Sequence, residues 1–171
     1  GIMRGWATLA SVLWVFGKID MQEQLARLEA TLAAMPPVRA MGIAVVAYED
    51  QQLTLGAPLA ANLNDKGNAF GGSLASIHTL SGWGLVSLEL AAAGLQADVY
   101  VADSQVRYLA PLYGDLQATA RLADDASWEV FLQRFAQRGH ASVALVAQVQ
   151  AEGRPAATLS GRFVAKAKEP A

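Results

Sequence analysis

Gly71-Gly72-Ser73-Leu74-Ala75-Ser76-Ile77-His78-Thr79-Leu80-Ser81-Gly82-Trp83-Gly84-Leu85 opens an apolar stretch that runs to about Leu95. Its length would suffice for a bilayer crossing, which takes about 20 residues. Ser73, Ser76, His78, Thr79, Ser81 and Glu89 interrupt it, however, and Gly82 and Gly84 flank Trp83. A helix that is apolar on most faces in an otherwise globular chain is a buried central helix. The stretch therefore predicts a helix around which the rest of the chain must wrap, and no membrane span.

The flanking segments supply the wrapping. Downstream, Ala97–Tyr108 is rich in Val and Tyr, and Asp115–Leu122, His140–Ala151 and Ala156–Lys166 alternate apolar with polar residues, the period of a half-buried strand. Trp128, Phe131, Leu132 and Phe135 suggest a short helix or an irregular crossover between them. Upstream, Met41–Glu49 and Gln52–Ala57 read as strands around the turn Glu49-Asp50-Gln51, and Ala60–Phe70 is a polar loop. Before them, Met21, Leu25, Leu28, Leu32 and Met35 form one helical stripe that Pro36-Pro37 stops. Asp20 followed by Glu23 resembles a capping box for that helix. The fold class is α+β: five or six antiparallel strands around a long central helix. Only one sheet face meets that helix, which accounts for the alternation. The other face is less polar than a solvated monomer would want, so oligomerisation is expected.

The chain has 171 residues, the size of one domain, expected over residues 21–166 with a polar tail at 167–171. Residues 1–20 are apolar, with Trp6, Leu9, Val12, Leu13 and Phe16 at helical spacing. They read as a packing helix, as an extension upstream of a start at Met21, or as a signal peptide. Apolar residues make up 53% and charged residues 16%, a balance that excludes intrinsic disorder. Thirteen basic against fifteen acidic residues give a net charge of −2, which excludes a strongly basic nucleic-acid binder. Without cysteine there is no disulfide framework, iron–sulfur cluster or zinc–thiolate site. His78 and His140 leave little for a His-rich metal site, so neither a metal nor a cofactor is expected.

Chemistry is concentrated where the polar loop Asn62–Phe70 runs into the central helix. A helix start offers free backbone N–H groups and a positive dipole end. Gly71 and Gly72 carry no side chain to block approach, so a carbonyl oxygen there would be polarised as in an oxyanion hole. Asn64 could add an amide donor, and Lys66 could meet a phosphate or carboxylate. The same residues also make an ordinary capping loop in which the asparagines satisfy turn backbone. Asp103 and Arg107, four apart on a strand, share a face and read as a pair.

Several motifs together resemble a known family. They are Ala57-Pro58-Leu59, the Asn62-x-Asn64 pair, Phe70-Gly71-Gly72-Ser73, Leu80-Ser81-Gly82-Trp83-Gly84, and Ala102-Asp103 followed by Arg107-Tyr108-Leu109-Ala110-Pro111. The combination resembles the hotdog-fold superfamily of acyl-thioester enzymes and, within it, the YiiD C-terminal thioesterase family, some members of which are malonyl-ACP decarboxylases. The resemblance covers Met21 to Lys166, and Asn68 stands where many relatives have Thr. It implies a cytoplasmic homodimer or tetramer with active sites shared across the interface. Its substrates would be acyl thioesters of CoA or acyl carrier protein. It also implies that the second Asn of the pair, here Asn64, is tied to catalysis.

The resemblance leaves the reaction to be decided. Many hotdog thioesterases carry a carboxylate on the central helix about seven residues after the second glycine, and that count lands on Thr79. Glu89 is the only carboxylate of the helix, several turns further on, and Asp65 in the loop is the nearest alternative base. Decarboxylation of a malonyl thioester needs no general base; it needs donors on the thioester oxygen. The expectation is therefore decarboxylation of malonyl-ACP to acetyl-ACP, with Asn64, Gly72 and Asp65 catalytic. Asn62, Lys66, Phe70, Gly71, Ser73, His78 and Ser81 are expected to contact substrate. Thioester hydrolysis and a non-catalytic carrier-binding module are the alternatives. A dehydratase pairing of His78 with Asp103 or Glu89 lacks the surrounding motif.

Overall fold

The computed structural model describes residues 21–169. The expected extension over residues 1–20, with the Asp20 cap, lies outside the described residues. The first element is a helix over residues 21–34 (α1), which buries Leu28 and Leu32 and half-buries Met21 and Leu25. The proline pair does end α1, but it also starts a second helix, Pro36–Met41 (α2). Proline suits the first helical positions, where its missing N–H would have had no partner. Gly42 closes α2 at φ 68°, so the first strand begins at Ala44 rather than at Met41.

Strands β1 (Ala44–Glu49) and β2 (Gln52–Ala57) form a hairpin whose turn residues Asp50 and Gln51 both take positive φ, 51° and 57°. The polar loop follows, broken by a single 3-10 turn at Leu59–Ala61. The central helix α3 spans Gly71–Ala92. Strands β3 (Ala97–Tyr108) and β4 (Leu116–Leu122) come next. The aromatic segment is a helix, α4 (Trp128–Arg138), capped by Ser127, whose side chain accepts from Val130 N. Its buried Trp128, Phe131 and Phe135 place it against strand β5 (His140–Ala151). Strand β6 (Arg154–Ala167) runs one residue into the expected tail. The six strands make one antiparallel sheet in the order β1-β2-β4-β5-β6-β3.

The sheet wraps one side of α3. Leu74, Ile77, Leu85 and Leu88 point into it against Leu53, Leu116, Leu145 and Phe163, all essentially inaccessible. Each such side chain contributes about 1.5–3 kcal/mol on burial. Gly82 and Gly84 set the approach distance: a Cβ would stand 2.5 Å from the Phe163 ring at Gly82 and 2.8 Å from Leu53 at Gly84. Trp83 between them points the other way and donates from Nε1 to Val99 O of β3 at 3.1 Å. The opposite face of α3, with Gly72, Ala75, Ser76, Thr79 and Ser87, is not covered by the sheet. The helix is thus buried on the sheet side and half-buried on the other.

Two polar features fall outside the expected scheme. Asp103 pairs with Arg162 of the neighbouring strand β6, at 2.9 Å, and not with Arg107. A register shift between Val101 and Asp103 re-aims the side chain towards its cross-strand neighbour. Glu89, buried near the end of α3, accepts hydrogen bonds from Tyr48 Oη and from Gln51 Nε2 at 2.9 Å. Burial first, and then the Glu89 carboxylate, push the Tyr48 phenol well above its usual range. The carboxylate pins the strained β1–β2 turn onto the helix.

Candidate functional site

The Asn62–Phe70 loop is shaped by its own asparagines. Asn62 is buried and donates both amide hydrogens, to Met41 O and Pro58 O, each at 2.8 Å. Its backbone carbonyl accepts from Phe70 N at 2.8 Å, while its Oδ1 is buried without a partner. Asn62 therefore fastens the loop to the end of α2. Asn64 makes an Asx-type turn: Oδ1 accepts from Lys66 N at 2.8 Å and from Asn68 N at 3.1 Å. Its Nδ2 donates to Asn68 Oδ1 at 2.7 Å. The remaining amide hydrogen has only Ala69 O, at 3.5 Å, the outer limit of a hydrogen bond.

The loop delivers the chain to α3 through Phe70, the N-cap residue, at φ −64° and ψ 129°. No side chain caps this helix start. The first-turn N–H groups of Gly71, Gly72 and Ser73 have no intrahelical acceptor, and the helix dipole adds positive potential there. The two glycines are not open on their α-carbon side, as expected from the sequence, because aromatic rings cover them. A Cβ on Gly72 would stand 2.6 Å from the Phe70 ring, and one on Gly71 would stand 3.5 Å from the Tyr108 ring. Tyr108 Oη also donates to Gly71 O at 3.2 Å. Both aromatic residues are exposed. Tyr108 lies within the Arg107–Pro111 motif, which by itself assigns it no place at the helix start. Its role depends on β3 ending beside the helix start, which local spacing does not reveal.

The other expected residues separate into two groups. Asp65 and Lys66 pair with each other at 2.9 Å, with their side chains 80% and 71% exposed. An ion pair in solvent of this kind contributes little to stability. Ser73, His78 and Ser81 are buried. The His78 ring lies between two carbonyls, Nδ1 facing Leu74 O and Nε2 facing Ala157 O of β6 at 3.2 Å, and in its neutral form donates its single N–H to one of them. Burial is the largest influence and lowers its pKa, against the raising effect of the two carbonyls. Ser81 Oγ donates to His78 O at 2.8 Å. Asn62, Asn64, Phe70, Gly71 and Gly72 thus meet at the helix start, and His78 and Ser81 belong to the core behind it.

A cavity of about 360 Å³ lies against the half-buried face of α3. Pro37, Val38 and Met41 of α2 form one wall, and Ala75, Ser76, Thr79 and Leu80 the other. Ala75 is one turn beyond the glycines. Thr79 Oγ1 donates back to Ala75 O at 2.8 Å. No titratable side chain lines the groove. A larger cleft, about 460 Å³, lies between α1, the C-terminal half of α3 and the start of β3, at the other end of the helix from the loop.

An antiparallel sheet wrapped on a long helix, with a polar loop feeding the uncapped helix start, defines the hotdog class. The chain belongs to the family described as "Putative thioesterase (yiiD_Cterm)", whose model matches residues 25–167. A solved structure titled as a "putative thioesterase" from Shewanella oneidensis is 34% identical, with a TM-score of 0.76 over 85% of this chain and 99% of that one. A protein of unknown function from Chlorobaculum tepidum TLS is 27% identical, with a TM-score of 0.77 over 84% and 94% of the two chains. A Pseudomonas aeruginosa protein titled "Probable Thioesterase" shares the fold at 21% identity, with a TM-score of 0.68 over 84% and 95%.

Proposed function

We propose that the chain decarboxylates a malonyl thioester, carried on acyl carrier protein or CoA, to the acetyl thioester. The observation that carries this reading is the uncapped start of α3 with its free first-turn donors, followed one turn along the helix by a groove that no titratable side chain lines. Hydrolysis would need a base to activate water there; Thr79 occupies the helix position and bonds its own backbone. Decarboxylation breaks the bond between the α-carbon and the carboxylate. The electron pair moves into the thioester as an enolate, CO₂ leaves, and a proton from water adds to the α-carbon. The first-turn N–H groups and the less engaged amide hydrogen of Asn64 stabilise the enolate oxygen. One such preorganised donor is worth about 10²–10³ in rate. The apolar groove withdraws water from the malonyl carboxylate, which favours its loss as neutral CO₂.

The site is completed by a second copy of the chain. Strand β3 is a sheet edge of 12 residues with Tyr100, Val101 and Tyr108 exposed. A long edge with apolar side chains invites pairing. Tyr108 places the end of β3 beside the helix start, so a two-fold partner on β3 would close that side of the site. Thioester hydrolysis is the second reading, favoured by the family description, with Asp65 as its base.

Mass spectrometry of the protein incubated with malonyl-ACP, malonyl-CoA and a set of acyl-CoAs, with Asn64→Ala in parallel, tests the proposal. Acetyl thioester formed without free acid, and lost in the variant, is the expected result. Released acid with free carrier would establish hydrolysis instead. Binding without turnover would leave a carrier-binding module.

A further inference from the structure

The groove is larger and more apolar than a malonyl group requires. Beyond its thioester, malonyl brings one methylene and one carboxylate. The cavity measures about 360 Å³, and its walls are Pro37, Val38, Met41, Ala75, Ser76, Thr79 and Leu80. The polar side chains among them are the hydroxyls of Ser76 and Thr79, and that of Thr79 is spent on Ala75 O. The groove starts one helical turn from Gly71 and Gly72, where the thioester oxygen would be held, so a substituent on the α-carbon is within its reach.

We infer that the groove takes an alkyl branch at the α-carbon, and that the substrate class of this site is the 2-alkylmalonyl thioester. This rests on the decarboxylation reading above. The chemistry is the same: the bond from the α-carbon to the carboxylate breaks, its electron pair forms the substituted enolate, CO₂ leaves, and water returns one proton to the α-carbon. Methylmalonyl gives propionyl and ethylmalonyl gives butyryl, with nothing oxidised or reduced by a third party. The alkyl branch lies against Ala75 and Met41, and each methylene buried there is worth about fourfold in kcat/KM.

The test compares kcat/KM for malonyl, methylmalonyl and ethylmalonyl thioesters, each on CoA and on acyl carrier protein, in the wild type and two groove variants. The wild type is expected to use ethylmalonyl at least as well as malonyl. Ala75→Leu fills the groove and should lower the ethylmalonyl-to-malonyl ratio at least tenfold. Met41→Ala enlarges it and should move the ratio the other way. Opposite movements cannot come from a general loss of folding. Malonyl consumed with both alkylmalonyl thioesters left intact overturns this inference alone. All three thioesters left intact on both carriers overturns the parent reading and this inference with it. A ratio unmoved by Ala75→Leu, accompanied by a change of oligomeric state on sizing, would give the groove to a second copy of the chain and overturn the inference too.

Discussion

The uncapped start of α3 yields opposite predictions for stability and activity. Phe70 has the extended backbone of an N-cap residue but no side-chain oxygen to accept from the first turn. Phe70→Ser would supply one. Phe70→Ala is the reference, because both variants lose the ring that lies over Gly72 and differ only in the cap. A Ser cap stabilises by about 0.5–2 kcal/mol relative to Ala. At about 2–4 °C per kcal/mol for a chain of this size, Phe70→Ser should melt about 1–8 °C above Phe70→Ala. On the proposed reaction, the same hydroxyl would occupy an N–H that the enolate oxygen needs. Removing one such donor costs about 10²–10³ in kcat, so Phe70→Ser should be the more stable and the slower of the two. Thermal melting and initial rates of decarboxylation on the paired variants make the comparison. If the Ser variant is as fast as the Ala variant while melting higher, the first-turn N–H groups do not act in the reaction, and the reasoning fails.

Three further outcomes are expected. Asn64→Asp keeps an oxygen for Lys66 N and Asn68 N but removes the amide donor and its bond to Asn68 Oδ1, so kcat should fall about 10²–10³-fold alongside a drop of a few degrees in melting temperature; a kcat within threefold of wild type would refute the donor role. His78 has a lowered pKa in the fold, so the unfolded chain binds its proton more readily. Its contribution to stability is full above the unfolded value of about 6.5 and is lost as pH falls below it; melting temperatures between pH 8 and 5 should drop more steeply for wild type than for His78→Gln. Gly82→Ala gains about 1 kcal/mol of helix propensity but drives a Cβ to 2.5 Å from the Phe163 ring, an overpacking cost of about 1–3 kcal/mol. Denaturant titration should show a net loss that Phe163→Leu relieves; a more stable single variant would refute the close approach.

The elements were legible because their periods are strong and their ends are punctuated. Ala97–Tyr108 and His140–Ala151 are strands at the residues expected, and Gly71 starts the central helix. The ends that shifted depended on context. Pro36-Pro37 reads as a stop, yet the same ring chemistry starts α2. The helix face left open by the sheet was hidden because Ala75, Thr79 and Leu80 read as interior residues in composition. At the site, the Asn62-x-Asn64 pair and the Gly71-Gly72 pair located the loop and the helix start. What it could not give were the contacts made across distance in the chain: Tyr108 over Gly71, Asn62 on Met41 O, and Asp103 with Arg162.

The distribution of satisfied and unsatisfied groups along α3 supports placing the chemistry at one end. His78 faces two carbonyls, Thr79, Ser81 and Ser87 bond back to the helix, and Glu89 takes donors from Tyr48 and Gln51. The polar groups of the middle and far end are therefore engaged within the chain. Buried polar groups in native proteins nearly always find partners. At the near end, the first-turn N–H groups lack a side-chain cap, and the Asn62 Oδ1 buried behind them is unpartnered. Leaving a helix start uncapped costs about 1 kcal/mol that a Ser, Asp or Asn at position 70 would recover. That cost has a physical counterpart if an oxygen of the substrate completes the cap. The thioester is then held where its carbonyl dipole continues the helix dipole, and the positive end acts on the charge that decarboxylation places on that oxygen.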